Sequence, residues 1–199
     1  CLGHGVYRLT GTRRMHERPQ EALFDALREL GYCLDSVNNR LPVLIHGDKT
    51  LSQSAVILTY LSEKSGKFKP QTEDERLEVL RWIVFDNQKV NGYLGPYRFL
   101  RWIAKPAGDP KVLEFLKGRI DNALGILDKR LAKGPWVVGD HPTIADLSLC
   151  AYLYYPAEEM GFDIPALYPN IGKWLQRIKT LPGWKHPYDL MPGHPLPGR

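Results

Sequence analysis

The spacing of apolar residues divides the first third of the chain into helices and one short pair of strands. In residues 19–32 the apolar positions recur every three or four residues, which predicts an amphipathic helix that begins at Pro19 and stops at Gly31. The next apolar stretch, LPVLIHGDKTL, is too short for a helix and is interrupted at Gly47-Asp48, so it predicts two strands joined by a turn. SQSAVILTYLSEKSG then predicts a helix closed by Gly66.

Beyond this point the apolar period is helical. Thr72 and the acidic residues after it predict a helix start, and the helix extends through Trp82 towards Val90. A long amphipathic helix is predicted from Asp109 to a stop at Gly134. A buried helix is predicted in the almost wholly apolar stretch HPTIADLSLCAYLYYPAEEMG. A further helix is predicted in YPNIGKWLQRIKTLPGW.

The apolar pattern changes from mixed strands and helices to helices alone, which predicts two domains. KFKPQTEDE is polar and contains Pro70, as expected of a linker. We therefore predict a mixed α/β domain over residues 1–66, an all-helical domain over 72–190, and an extended tail over 191–199 that is rich in Pro and Gly.

Composition narrows the class of protein. The chain has 199 residues, of which 43% are hydrophobic, so it can form a core. No apolar run reaches the roughly 18 residues of a membrane span, so no membrane association is expected. Its three cysteines argue against a disulfide scaffold or a zinc site and fit a reducing cytoplasm. The net charge is +5, but the basic residues are scattered, so no nucleic-acid partner is expected.

Two features around the predicted hairpin suggest a binding site. Pro42 cannot donate a hydrogen bond within a strand, and a cis Leu41–Pro42 bond would turn the backbone of Leu41 outward towards an extended peptide. The next helix begins near Gln53 and Ser54, where free N–H groups favour a carboxylate and the Gln53 amide can accept from an ammonium. The alternative is a hairpin edge followed by an ordinary serine cap.

These residues resemble a known family. RLPVL and GDKTLSQSAVILTYL are similar to the glutathione-binding half of the glutathione transferases, and WVVGDHPTIAD is similar to their most specific local pattern. In that pattern Thr143 caps a helix and Asp146 reaches back to it. The resemblance covers residues 38–184.

The resemblance implies a thioredoxin-like α/β half followed by an all-α helical bundle, with the site in a cleft between them. It implies a glutathione transferase in which glutathione is a substrate and its thiolate attacks a small electrophile. It also implies a homodimer. Two alternatives stay open: a glutathione-dependent disulfide reductase or dehalogenase on the same scaffold, and a transferase-like protein that binds glutathione without turnover.

By the same resemblance, the residues that bind glutathione are found around the hairpin. Leu41, Pro42, Gln53 and Ser54 match the family's peptide-binding and γ-glutamyl positions. Asn39 and Arg40 precede them, and Arg40 suits the glycyl carboxylate.

The segment before Leu41 departs from the family. It leaves no room for one of the expected helices, so residues 19–32 are either the first helix or that later one. Tyr7 ends the first candidate strand, GVYRLTG, and is the candidate that activates the thiol by donating a hydrogen bond to the thiolate. Packing of Tyr7 in the core is the alternative, and Thr10 or Thr12 could donate instead.

An aromatic stretch follows the first helix of the second half. NGYLGPYRFLRWI contains Tyr93, Tyr97 and Trp102, and Tyr154 lies farther along the chain. The resemblance implies that these four residues line a pocket for an apolar electrophile. Core packing is the alternative, and it is the commoner role of any single aromatic residue.

Overall fold

The computed structural model describes residues 8–9 and 43–186, and the side-chain surroundings from Val43 onward. The described residues form two compact units. One contains the residues up to Lys69 together with those from Leu181 onward, and the other is Pro70–Thr180. The junction at Lys69 lies in the segment predicted as a linker.

The described residues of the first unit form a small sheet and one helix. Strand β1 is Arg8–Leu9, β2 is Val43–His46 and β3 is Lys49–Ser52. β2 and β3 form an antiparallel hairpin in which Leu44 lies opposite Leu51, and β1 pairs with β2 in parallel. This confirms the predicted turn at Gly47-Asp48, where Gly47 has a φ of 63° that favours glycine.

Helix α1, Ser54–Ser65, completes the described part of the first unit. Its buried Ile57 and Leu58 and the strand residue Leu44 form the core there. Gly66 ends α1 in the left-handed conformation, and its N–H bonds to the carbonyl of Ser62 at 2.9 Å. The Ser62 hydroxyl donates to the carbonyl of Lys67 at 2.7 Å, so both groups fix the exit of the helix.

The second unit is helical in all its regular elements. Helix α2 is Glu73–Phe85, followed by a π-helical turn Asp86–Val90 and by α3, Asn91–Arg98. A second π-helical turn, Phe99–Ile103, precedes α4, Pro110–Leu131. Helix α5, Ile144–Cys150, continues into a 3-10 turn, Ala151–Tyr154. The remaining helices are α6 (Ala157–Met160), α7 (Ile164–Leu167) and α8 (Pro169–Lys179).

Two helix ends differ from the sequence prediction. The helix predicted to run through HPTIADLSLCAYLYYPAEEMG is regular only to Cys150, because the chain tightens into a 3-10 turn and becomes extended at Tyr155 before Pro156. α4 ends at Leu131, three residues before the predicted stop at Gly134. The predicted starts at Thr72 and Asp109 are confirmed, since each side chain accepts a hydrogen bond from its own helix.

Asp146 is the polar centre of the second unit. It is fully buried, and Oδ2 accepts from the backbone N–H and the hydroxyl of Thr143 at 2.9 and 3.1 Å. Oδ1 accepts from the Val137 N–H and from Nε1 of Trp174, both at 2.9 Å. The predicted capping box is therefore confirmed, and the same carboxylate also anchors α8 and the loop before α5.

Candidate functional site

Gln53 has an unusual backbone conformation at the start of α1. Its φ is 70° and its ψ is 119°, in a region that residues with a side chain rarely occupy. Its carbonyl accepts the first helical hydrogen bond, from the Ile57 N–H at 3.0 Å. Such strain costs about 1–3 kcal/mol and is concentrated at functional sites in proteins.

The side chains of Gln53 and Ser54 are available to a ligand. Both residues are exposed, and neither side chain hydrogen-bonds within the described part of the chain. The N–H groups of the first turn of α1 have no partners in the helix, and the helix dipole adds a partial positive charge there. This helix start can therefore accept a carboxylate, with a hydroxyl and an amide beside it.

A contact between β2 and α1 fixes the direction of that helix. The Tyr60 hydroxyl and Nδ1 of His46 are 2.5 Å apart, and the two rings meet edge to face with centroids 5.8 Å apart. Lys64 also lies over the Tyr60 ring, with Nζ 5.8 Å from its centroid. The contact between His46 and Tyr60, together with buried Ile57, holds α1 against the hairpin that precedes Gln53.

In the second unit, Tyr93 and Tyr97 lie one turn apart on α3. Neither hydroxyl has a hydrogen-bond partner among residues 43–186. The Tyr97 ring packs against Phe162, with centroids 6.0 Å apart. Phe162 follows α6, and its approach to α3 could not be inferred from the spacing of aromatic residues in the sequence.

The other two predicted pocket residues have different surroundings. Trp102 is half-buried in the second π-helical turn, and its buried Nε1 has no hydrogen-bond partner among the residues that the structure describes. Tyr154 donates its hydroxyl to the carbonyl of Leu175 in α8 at 2.8 Å. The structure therefore places Tyr93 and Tyr97 together on one helix, whereas Tyr154 is engaged with a different helix.

A buried acid that the sequence analysis missed lies just before α3. Asp86 is 3% exposed, and its Oδ2 accepts from the Ser148 hydroxyl at 2.5 Å. Burial raises the pKa of Asp86 to about 7, although the Ser148 hydroxyl and the backbone N–H of Asn91 act in the opposite direction. The sequence gives no signal for this pairing, because an isolated Asp in a helix is usually exposed.

Several predicted site residues lie outside the described residues. They are Tyr7, Asn39, Arg40, Leu41 and Pro42, with the proposed cis bond at Leu41–Pro42.

Within the described ranges, no set of three or more His, Cys, Asp or Glu side chains is placed to hold a metal ion. None of the helices described is both long and apolar enough to cross a membrane.

Two family models match the chain in order. Residues 16–63 match the glutathione S-transferase N-terminal domain, and residues 110–177 match the glutathione S-transferase C-terminal domain. Together they span more than half of the chain. The chain belongs to the glutathione transferase family. The N-terminal match includes Gln53 and Ser54 but begins after Tyr7.

Relatives of known structure confirm the glutathione transferase fold. A glutathione S-transferase from Xanthobacter autotrophicus Py2 has a TM-score of 0.69 and 28% identity, and the match covers 86% of this chain and 92% of that one. Ure2p5 from Phanerochaete chrysosporium, cocrystallized with 1-(S-glutathionyl)-2,4-dinitrobenzene, has a TM-score of 0.69 and 26% identity over 84% and 87% of the two chains. The predicted fold class, a thioredoxin-like half followed by a helical half, is confirmed.

One relative of this chain is named for a different activity. The chain is 29% identical over 154 residues to the disulfide-bond oxidoreductase YfcG of Escherichia coli (strain K12). That match covers 74% of this chain and 70% of the relative. The chain is therefore similar both to proteins named glutathione S-transferase and to one named for disulfide chemistry.

Proposed function

We propose that this protein binds glutathione at the start of α1 and transfers its thiolate to an electrophilic carbon. The observation that carries the proposal is the strained, exposed Gln53 beside Ser54, within the range that matches the family's N-terminal domain. The helix N-terminus and the Ser54 hydroxyl would bind the γ-glutamyl carboxylate, and the Gln53 amide would accept from its ammonium. Asn39, Arg40, Leu41 and Pro42 stay predicted contacts to the rest of glutathione.

The chemistry requires a thiolate. The glutathione thiol loses its proton, the sulfur forms a bond to the electrophilic carbon, and the leaving group departs with the bonding electrons. A hydrogen-bond donor near the sulfur favours the thiolate and lowers the pKa of the thiol. Tyr7 stays the predicted donor, and the comparison of thiolate absorbance against pH in wild type and Tyr7→Phe tests it.

On the second unit, we propose that Tyr93, Tyr97 and Trp102 contact the electrophile. Tyr93 and Trp102 are half-buried, and the Tyr93 and Tyr97 hydroxyls have no partner in the described part of the chain, as expected of residues that receive a ligand. Tyr154 was predicted in the same set, but its hydrogen bond to Leu175 favours a structural role.

Conjugation of glutathione with 1-chloro-2,4-dinitrobenzene, measured beside a glutathione titration, tests the proposed function. We expect saturable glutathione binding and turnover above the uncatalysed rate. Binding without turnover on a panel of electrophiles would favour the non-catalytic alternative, and absence of binding would contradict the proposal.

A second candidate is glutathione-dependent disulfide reduction, which the similarity to YfcG favours. In that reaction the glutathione thiolate attacks one sulfur of a disulfide and releases the other as a thiolate, and a second glutathione completes the reduction. A small-disulfide reduction assay on the same preparation distinguishes the two reactions. The homodimer and the cytoplasmic location stay predictions.

A further inference from the structure

A buried ion pair joins α3 to the short helix α6. Arg98 donates from Nε and from Nη2 to the same Glu159 oxygen, Oε2, both at 2.6 Å. The two side chains are 11% and 1% exposed, so this pair is separated from solvent. Removal of one partner alone would leave a charge in the interior.

The Arg98 guanidinium is also held by an aromatic ring. It lies 4.0 Å from the centroid of the Tyr155 ring. Tyr155 in turn meets Tyr152 edge to face, with centroids 5.4 Å apart. The guanidinium therefore has a fixed plane as well as a fixed partner.

A second arginine binds the backbone of α6. Nη1 of Arg101 donates to the carbonyls of Glu158 and Glu159 at 2.7 and 3.0 Å. Gly161, which follows α6, has a φ of 75°, and a Cβ built there would meet the guanidinium of Arg101. The left-handed backbone favours glycine at this position.

The residue after Gly161 is Phe162, whose ring packs against Tyr97. Lys117 of α4 lies over the Phe162 ring, with Nζ 4.4 Å from its centroid. The position of Phe162 relative to Tyr97 therefore depends on how α6 is fastened to the segment that carries Arg98 and Arg101.

Buried ion pairs rarely stabilise a fold more than apolar residues of the same volume would, so a role in orientation is the better explanation of this one. We propose that Arg98 and Glu159 are positioning residues that hold Phe162 against Tyr97 and thereby shape the surface that binds a planar aromatic electrophile. This inference rests on the proposed function, because it assigns Tyr97 to the electrophile site.

The double variant Arg98→Met/Glu159→Met tests the inference, since it removes both charges and keeps the volume. The matched control is Glu73→Met/Arg76→Met, which removes an exposed pair of the same residue types from α2. Three quantities are measured for each double variant. They are the KM for glutathione, the KM for 1-chloro-2,4-dinitrobenzene, and the Kd for unreactive 1,3-dinitrobenzene by quenching of tryptophan fluorescence.

We expect the buried double variant to keep its circular dichroism spectrum and to keep the KM for glutathione within about twofold. The KM for the halide and the Kd for 1,3-dinitrobenzene should each rise at least about fivefold, and the control should leave both within about twofold. If the buried variant does not fold, Arg98→Lys is used, which keeps the charge but loses the planar fork. Arg98→Lys should raise the Kd for 1,3-dinitrobenzene at least about threefold, beyond the range allowed to the control.

An unchanged Kd for 1,3-dinitrobenzene in the folded variant would overturn the inference, as would a wild-type protein that does not bind this probe. A wild-type protein that binds the probe but does not turn over any electrophile would contradict the proposed transferase activity instead. In that case the comparison of Kd values still decides the role of Arg98 and Glu159.

Discussion

Ser148 and Asp86 are 62 residues apart in the sequence, and a hydrogen bond of 2.5 Å joins the Ser148 hydroxyl to the buried Asp86 carboxylate. The bond links α5 to the π-helical turn that leads into α3. It places a titratable group inside the helical unit, next to the helix that carries Tyr93 and Tyr97.

Asp86 should make the helical unit less stable as the pH rises. Its carboxyl loses a proton near pH 3.8 when unfolded but only near pH 7 when folded, because burial disfavours the charged form. Between these values the folded protein holds one more proton, so the free energy of unfolding falls with pH, by about 4 kcal/mol in total.

Chemical denaturation of wild type and Asp86→Asn between pH 4 and pH 8 measures this effect. The variant should lack the contribution of Asp86 and gain stability relative to wild type as the pH rises. Burial also raises the pKa of Asp146, so the difference between the two proteins is compared rather than either slope alone. A difference that is constant across the range would contradict the assignment.

The capping box predicts two different losses of stability. Thr143→Ala removes one cap and should cost about 0.5–2 kcal/mol. Asp146→Ala should cost more, because the N–H groups of Val137 and Thr143 and Nε1 of Trp174 all lose their acceptor inside the core. Each unsatisfied group costs roughly 1–3 kcal/mol.

Thermal unfolding of both variants measures these losses, with a glutathione titration of the folded fraction as the control. Equal losses for the two residues would show that Asp146 is only a local cap. A large loss of glutathione affinity at unchanged stability would assign Thr143 or Asp146 to the binding site.

Tyr154 and Tyr97 should behave differently when only the hydroxyl is removed. Tyr154→Phe loses the hydrogen bond to Leu175 and should lower the free energy of unfolding by about 1 kcal/mol, without an effect on the KM for the electrophile. Tyr97→Phe should leave stability nearly unchanged. Urea denaturation and steady-state kinetics on both variants check this. A raised KM for the electrophile in Tyr154→Phe would show that Tyr154 belongs to the electrophile site after all.

Replacement of Gln53 by glycine should relieve the backbone strain, which stabilises the fold, but should weaken the binding of glutathione. Gln53→Gly removes the cost of a positive φ and should raise the free energy of unfolding by about 1 kcal/mol. Gln53→Ala loses the same amide but keeps the strain, so it is the control. Both should bind glutathione more weakly, and a glycine variant no more stable than the alanine variant would show that the backbone is not strained.

The parts of the fold that depend on neighbouring residues were predictable from the sequence. The hairpin at Gly47-Asp48, the end of α1 at Gly66, and the capping box of Thr143 and Asp146 each rest on a few adjacent residues. The early end of α5 at Cys150 was not, because the apolar pattern continues unbroken through Ala151–Tyr154 while the backbone tightens.

The features that the sequence did not predict are mainly contacts between residues far apart in the chain. The bonds from Ser148 to Asp86 and from Arg98 to Glu159 depend on how helices pack, and hydrophobic spacing carries no information about which buried polar groups meet. At the candidate site, the residue types of Gln53 and Ser54 were predictable, whereas the positive φ of Gln53 was not.

The dissociation constant of glutathione for Ser54→Ala tests the central claim most directly. The matched control is Ser52→Ala, which removes another exposed hydroxyl two residues earlier, at the end of β3. We predict that loss of the Ser54 hydroxyl weakens binding by roughly 1–3 kcal/mol, about 5- to 150-fold in Kd, because a charged carboxylate loses a donor. Ser52→Ala should bind as wild type does. An unchanged Kd for Ser54→Ala, with circular dichroism showing an intact fold, would contradict the placement of glutathione at the start of α1.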